Sequence, residues 1–198
     1  MIIIKFAAVI IIAYLLGSIP FGLLIGRKSA RLDIREHGSG KIGATNVLRT
    51  AGRKAAAVAV SLDVLKGTLA VVFAGLIIGR SYLMVHGVAV GMVTAQASAA
   101  LAAMAGHNWS VFIRFRGGRG VATFFGALLV LCPWAALFGG EMAIISAGTT
   151  RFVSLGSIAG AVGAFTILIP LTIFNGFPIE YLIYTFIGTV AIIVMHRD

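Results

Sequence analysis

Gly120-Val-Ala-Thr-Phe-Phe-Gly-Ala-Leu-Leu-Val-Leu-Cys-Pro-Trp-Ala-Ala-Leu-Phe-Gly-Gly-Glu-Met-Ala-Ile-Ile-Ser-Ala-Gly148 is the stretch that decides how this chain is threaded. It is apolar almost throughout, and longer than the roughly 17–25 residues one helix uses to cross ~30 Å of hydrocarbon. Pro133 lacks a backbone N–H and clashes with the preceding turn, so a helix entering it ends there. Two short crossings, 120–131 and 133–148, return the chain to the side it left and put Arg119 and Arg151 on one face. A single kinked helix puts them on opposite faces. The two-crossing reading is preferred, although its first helix is only about 18 Å long, so the bilayer thins there or the helix is partly re-entrant.

Outward from this stretch, apolar runs cover 2–24, 55–79, 88–106, 154–174 and 179–195. The first is too long, and too poor in basic residues at its start, to be a cleaved signal peptide; it reads as a retained span. Apolar residues make up 60% of the 198 and charged residues 11%, against ~45–50% and ~25% in soluble domains. So much hydrocarbon cannot be hidden in a small soluble globule. The expectation is a single membrane-embedded, all-α domain over 1–198 with seven transmembrane helices, two of them short and flanking Pro133.

The net charge of +10 would suggest nucleic acid in a polar protein. In a membrane chain it reports sidedness, and no nucleic-acid partner is expected. Residues 25–54 carry Arg27, Lys28, Arg31, Arg35, Lys41, Arg49, Arg53 and Lys54 against Asp33 and Glu36; 107–119 adds Arg114, Arg116 and Arg119 with no acid. Lys and Arg collect on the cytoplasmic side, so both connections face the cytoplasm, the N-terminus lies outside and the C-terminus is cytoplasmic. The lone Cys132 excludes an internal disulfide.

Three groups of residues stand out in or beside those connections. His37-Gly-Ser-Gly-Lys-Ile-Gly-Ala-Thr-Asn46, with Arg49 and Gly52, alternates glycine with small donors. Such backbone can fold into a nest of amides around an anion, or it is a flexible loop held near lipid headgroups by its cations. No preceding strand or terminal Gly-Lys-Ser/Thr makes it a nucleotide-binding loop. Gly106-His-Asn-Trp-Ser-Val-Phe-Ile-Arg-Phe-Arg-Gly-Gly-Arg-Gly-Val-Ala-Thr123 places two glycines between Arg116 and Arg119 at the head of an apolar helix. Helix N-termini and guanidiniums both bind anions, so this stretch reads as an anion site. Asp63 and Lys66, three residues apart inside a span, share a helix face and are either a packing ion pair or part of a site. Glu141 is a similar intramembrane charge with no partner nearby in the sequence.

With those residues laid out, the chain resembles the bacterial acyl-phosphate-dependent glycerol-3-phosphate acyltransferases, the PlsY family, nearly end to end. The resemblance runs through Leu16-Gly-Ser-Ile-Pro-Phe-Gly22, Ser39 to Arg49 with Gly52, Asp63-Val-Leu-Lys-Gly67, Gly106-His107, Phe115-Arg-Gly-Gly-Arg-Gly-Val-Ala-Thr123, Thr150-Arg-Phe-Val-Ser-Leu-Gly-Ser157 and His196-Arg197. Lys41 stands where the family usually has Asn, Ser110 where it has Pro, and Arg116 and Arg119 where it has lysines. The last exchange trades an ammonium for a planar fork. The family continues past His-Arg-x with Asn-Ile and a polar tail; this sequence ends at Asp198.

The resemblance implies acyl transfer from acyl phosphate to the 1-hydroxyl of glycerol 3-phosphate, giving lysophosphatidic acid and phosphate, the first acylation of phospholipid biosynthesis. It implies a site on the cytoplasmic face of the bacterial cytoplasmic membrane, lipid around it, and a functional link to the soluble enzyme that makes acyl phosphate. It implies catalytic roles for Ser39, Asn46, Arg49, Arg119, Ser157 and His196. Substrate or phosphate contacts fall to Gly40, Lys41, Gly43, Thr45, His107, Arg116, Gly117, Gly118, Thr123 and Ser154. Acyl phosphate is already activated, so no cofactor or metal is expected. The proton of the attacking hydroxyl goes to His107, to His196 or, in the preferred reading, to the substrate phosphate, whose second pKa is near ~6. The rival function is a transporter or channel for phosphorylated metabolites, against which stand the one-sided motifs and the lack of an inverted repeat.

Overall fold

The computed structural model describes residues 2–197; Met1 and Asp198 lie outside the described residues. Among the described residues eight α-helices dominate: α1 (Ile2–Ser18), α2 (Phe21–Ala30), α3 (Ala44–Ile78), α4 (Met92–Asn108), α5 (Val121–Leu131), α6 (Pro133–Thr150), α7 (Val153–Asn175) and α8 (Ile179–Met195). The break at Cys132-Pro133 falls where the sequence places it, with Pro133 opening α6, a position at which its missing N–H is no loss.

The run 2–24 and the connection 25–54 differ from expectation. The run 2–24 is two helices rather than one, because Pro20 ends α1 just as Pro133 ends α5. The connection 25–54 is largely helical: α2 fills its start and the first turns of α3 fill its end. Gly52, at φ 84° and ψ 177°, puts a kink between those turns and the apolar length of α3. That left-handed φ suits glycine alone without strain. Between α3 and α4 a small antiparallel hairpin, β1 (Leu83–Val85) with β2 (Val88–Val90), turns at His86-Gly87.

By length and composition, three stretches among the described residues are sufficient to cross a membrane: Ile2–Ala30, α3 and α7. α5 and α8 are shorter apolar helices. Exposed Leu76, Ile144, Phe174 and Ile183 on the outside of the bundle match a lipid-facing surface. Glu141 is exposed on α6.

Helices approach closely through small residues, as membrane bundles do. A methyl on Gly17 would fall on the carbonyl of Ala103, and one on Gly106 on that of Tyr14, so α1 and α4 meet backbone to backbone. Gly67 and Gly126 do the same for α3 and α5, and Gly139 and Gly160 for α6 and α7. Phe124 and Tyr184 stack at 5.3 Å in the largest core cluster, and the Tyr184 hydroxyl donates to the Phe124 carbonyl at 2.9 Å. A separate cluster of Leu23, Ile34, Ile42, Val47, Ala55 and Ile113 lies under the two basic connections and joins them.

Candidate active site

The segment between α2 and α3 is held by side chains rather than by regular ladders. Asp33 accepts from Arg35 Nη2 at 2.6 Å and Arg27 Nη2 at 2.9 Å, and also caps the 3₁₀ turn Ile34–Glu36. Arg35 bonding, with a smaller contribution from Arg27, holds the Asp33 carboxyl well below the ordinary carboxylate range. Asn46, buried in the first turn of α3, holds Nδ2 within 2.7 Å of the Ile34 carbonyl, 2.9 Å of that of Lys41 and 3.1 Å of that of His37, its two N–H bonds shared among the three. Its Oδ1 accepts from the Ser39 N–H at 3.0 Å. One amide thus closes the loop 34–41 onto α3. Gly38, at φ 61°, lies against that amide: a methyl there would strike Asn46 Oδ1. The structure therefore makes Asn46 a positioning residue for Ser39, Gly40 and Lys41.

The Arg116–Gly120 segment is built differently from the anion nest its sequence suggests. The Gly117 N–H donates to the Asn108 carbonyl at 3.2 Å and the Gly118 N–H to the His107 carbonyl at 3.0 Å. Those two amides satisfy the last carbonyls of α4. Both must be glycine because a methyl on Gly117 would meet the His107 carbonyl and one on Gly118 the His107 ring. The donors left at this end are the first-turn N–H groups of α5, at Val121 to Thr123, beside Arg119.

His107 also departs from expectation. It is 3% exposed, with Nδ1 3.5 Å from Asp63 Oδ1. Asp63 lies 2.9 Å from Lys66 Nζ, and Lys66 donates to the Ile19 carbonyl at 3.1 Å. Gly118 lies directly against the His107 ring. It belongs with Asp63 and Lys66 to a buried charge cluster tying α1, α3 and α4 together. Ser110 is likewise internal, donating to the Ser18 carbonyl at 2.5 Å.

The two basic segments converge on a cavity of about 480 Å³ lined by Ser39, Gly40, Lys41, Asn108, Trp109, Phe115, Arg116, Gly117 and Met195. A second cavity of about 710 Å³ adjoins it, sharing Gly40 and Arg116 and continuing to Arg27, Arg35, Arg114 and Phe112. His196 follows Met195 at the end of α8, and its Nδ1 donates to the Ile192 carbonyl at 2.8 Å, leaving Nε2 as the ring's second nitrogen. Burial pushes the His196 pKa below the ordinary histidine value, the Ile192 carbonyl pulls it back up, and the Arg119 charge adds a smaller push down.

Of the candidates, Ser39, Gly40, Lys41, Arg116 and Gly117 thus share one cavity, and His196 follows Met195 in its wall. Gly43 caps α3, and Thr45 and Arg49 lie in its first turns. Thr123 is fully buried in the first turn of α5, its Oγ1 without a hydrogen-bond partner among the described residues. Ser154 and Ser157 open α7, where Ser157 Oγ donates back to the Val153 carbonyl at 2.9 Å; neither lines the cavity. Sequence reasoning missed Asn108. It sits beside Gly106-His107, but nothing in an isolated sequence tells a helix-terminal asparagine in a cavity wall from one in solvent.

A family model described as glycerol-3-phosphate acyltransferase matches residues 7–198. The chain is 57% identical over 198 residues to glycerol-3-phosphate acyltransferase 3 of Dehalococcoides mccartyi strain CBDB1, covering 100% of this chain and 92% of that one. It is 43% identical over 189 residues to a glycerol-3-phosphate acyltransferase of Thermus thermophilus, covering 96% and 86%. The crystal structure of PlsY (YgiH), an integral membrane glycerol 3-phosphate acyltransferase, in its glycerol 3-phosphate form superposes with a TM-score of 0.82 at 35% identity, covering 97% of this chain and 88% of that one. Its lysophosphatidic acid form superposes at 0.80. Matched along almost its whole length in sequence and in fold, the chain belongs to the glycerol-3-phosphate acyltransferase family.

Proposed function

We propose that this integral membrane acyltransferase takes its acyl group from acyl phosphate and delivers it to the 1-hydroxyl of glycerol 3-phosphate at the cytoplasmic face of the bacterial cytoplasmic membrane. Lysophosphatidic acid and phosphate are the products. The observation that carries this reading is the pair of adjoining cavities walled by Gly40 and Arg116. Two phosphorylated substrates need two cationic sites with their reacting ends together, and a guanidinium between the sites serves both.

In this reading the phosphate of glycerol 3-phosphate lies in the smaller cavity with Ser39, Lys41 and Arg116. The acyl phosphate lies across Gly40 and Arg116, its chain running out between apolar helices. The developing oxyanion at the acyl carbon is stabilised by first-turn N–H groups and Arg119. The 1-hydroxyl oxygen forms a bond to the acyl carbon, the bond from that carbon to the phosphate oxygen breaks, and the hydroxyl proton passes to substrate phosphate. The family resemblance assigns catalytic roles to Arg49 and Ser157 and phosphate contacts to Gly43, Thr45 and Ser154, and in this reading His196 positions one phosphate through Nε2. The soluble enzyme that makes acyl phosphate supplies the donor.

Seven spans with the N-terminus outside go with this reading, because they bring the 31–43 and 107–119 connections and His196 to one face. Purified protein in bilayer discs, given glycerol 3-phosphate with either palmitoyl phosphate or palmitoyl-CoA, tests the donor. Lysophosphatidic acid forms with palmitoyl phosphate; formation from palmitoyl-CoA alone overturns the reading.

A further inference from the structure

Glu141 lies on α6 away from both cavities, exposed and without a hydrogen-bond or ion-pair partner among the described residues. Its depth follows from the helix packing. Gly139 abuts Gly160 and Gly156 abuts Ala143, so Glu141 stands level with residues 156–160 of α7. That is ~5–10 Å inside one end of a helix long and apolar enough to cross the membrane. An ionisable group at such a depth normally faces the bundle interior or pairs with another polar group. The other charged side chains within the apolar helices are engaged in that way: Lys5 with Ser81, Asp63 with Lys66, and Glu180 with Thr94. Glu141 is the exception.

The residues around it form a seam. Trp134, Leu137, Glu141, Ile144 and Gly148 recur at alternating steps of three and four along α6. Trp134, Leu137 and Ile144 are 68%, 61% and 74% exposed, and Gly148 is exposed too. Ala135, Ala136 and Gly139 are buried on the opposite side of the helix, so Glu141 sits in the middle of the lipid-facing side. A methyl on Gly148 would meet nothing within 4 Å, so packing within the chain makes no use of that glycine. Steps of three and four are the spacing of helices that pack along a common seam. Small residues and polar groups hold such seams together in membranes. Copies of one chain share one orientation in the bilayer, so α6 meets α6 of another copy in parallel, with identical positions facing. Glu141 then meets Glu141, and two carboxyl groups sharing a proton hydrogen-bond each other. We propose that this side of α6 is the interface of a parallel homodimer, closed by the two Glu141 side chains.

The test uses the full chain in lipid vesicles at one protein-to-lipid ratio, with a single cysteine added on the seam, Ile144→Cys, or off it, Met142→Cys. Met142 is exposed at 39%, and the chain's own Cys132 is buried. Mild oxidation links Ile144→Cys chains into dimers ~10-fold or more faster than Met142→Cys chains. Glu141→Leu, added to Ile144→Cys, slows the linking ~10-fold, as loss of a polar contact between membrane helices does. Glu141→Gln, whose amide still donates and accepts, retains it. Both substitutions leave the detergent unfolding temperature unchanged or higher, because Glu141 packs against nothing in its own chain. Equal linking at positions 142 and 144 overturns the proposal, as does linking that Glu141→Leu leaves unchanged. Absence of linked dimers overturns it too, and leaves Glu141 facing lipid or a different membrane protein.

Discussion

The side-chain amide of Asn46 reaches the backbone carbonyl of Ile34, twelve residues earlier, at 2.7 Å, and through it the loop that presents Ser39 and Lys41 is fastened to α3. The contact is buried, so replacing the donor with an acceptor sets like partial charges face to face. Asn46→Asp is expected to lower kcat/KM by ~100-fold or more and to cost about 2–4 kcal/mol of stability, through lost donors and a buried carboxylate facing carbonyls. Steady-state kinetics and thermal unfolding in detergent read both. Unchanged stability with lost activity would move Asn46 from positioning to chemistry.

Gly118 carries no side chain because the His107 ring occupies the place where a Cβ would be. Gly118→Ala is expected to destabilise by about 1–3 kcal/mol, the usual cost of overpacking a close backbone contact. Thermal unfolding checks it. A variant as stable as the native protein would contradict the close approach of the 116–120 segment to α4.

Asp63 and Lys66 form a buried pair 2.9 Å apart. Removing one partner leaves the other charge without compensation, which costs about 3–5 kcal/mol, whereas replacing both with apolar residues of similar size is far milder. Asp63→Leu and Lys66→Met should therefore each destabilise strongly, and the double variant less than their sum. Additive effects in a double-mutant cycle would show that the pair is not coupled.

His196 has a pKa pushed below the ordinary histidine value by burial. It is therefore neutral above that value and gains its charge only as pH falls past its lowered pKa. The substrate phosphate, by contrast, becomes protonated near ~6. If the phosphate takes the hydroxyl proton, His196→Asn lowers kcat/KM by ~10–100-fold and leaves the acid limb of the pH profile in place. Loss of that limb would make His196 the titrating group.

Much of the architecture was legible from local rules. Pro133 stops α5, and the one-sided arginines mark the face on which the site lies. The same proline rule ends α1 at Pro20, but the surrounding apolar run conceals it, so two helices read as one. The hairpin around His86-Gly87 is hidden because Val88 to Val90 are as apolar as the helix that follows. At the site, the family resemblance points to Ser39, Lys41 and Arg116, and the fold brings these three to one cavity. The work of Gly117, Gly118 and His107 was not legible. Glycine beside arginine suits either a phosphate or a neighbouring helix end, and only the α4 carbonyls decide between them.

Coupling of phosphate release to the acceptor is the most direct test of acyl transfer by this chain. In proteoliposomes charged with palmitoyl phosphate, addition of glycerol 3-phosphate should release inorganic phosphate and form lysophosphatidic acid in equal amounts, with neither appearing when the acceptor is left out. Uptake of glycerol 3-phosphate into the vesicles without phosphate release would contradict acyl transfer and make the protein a carrier.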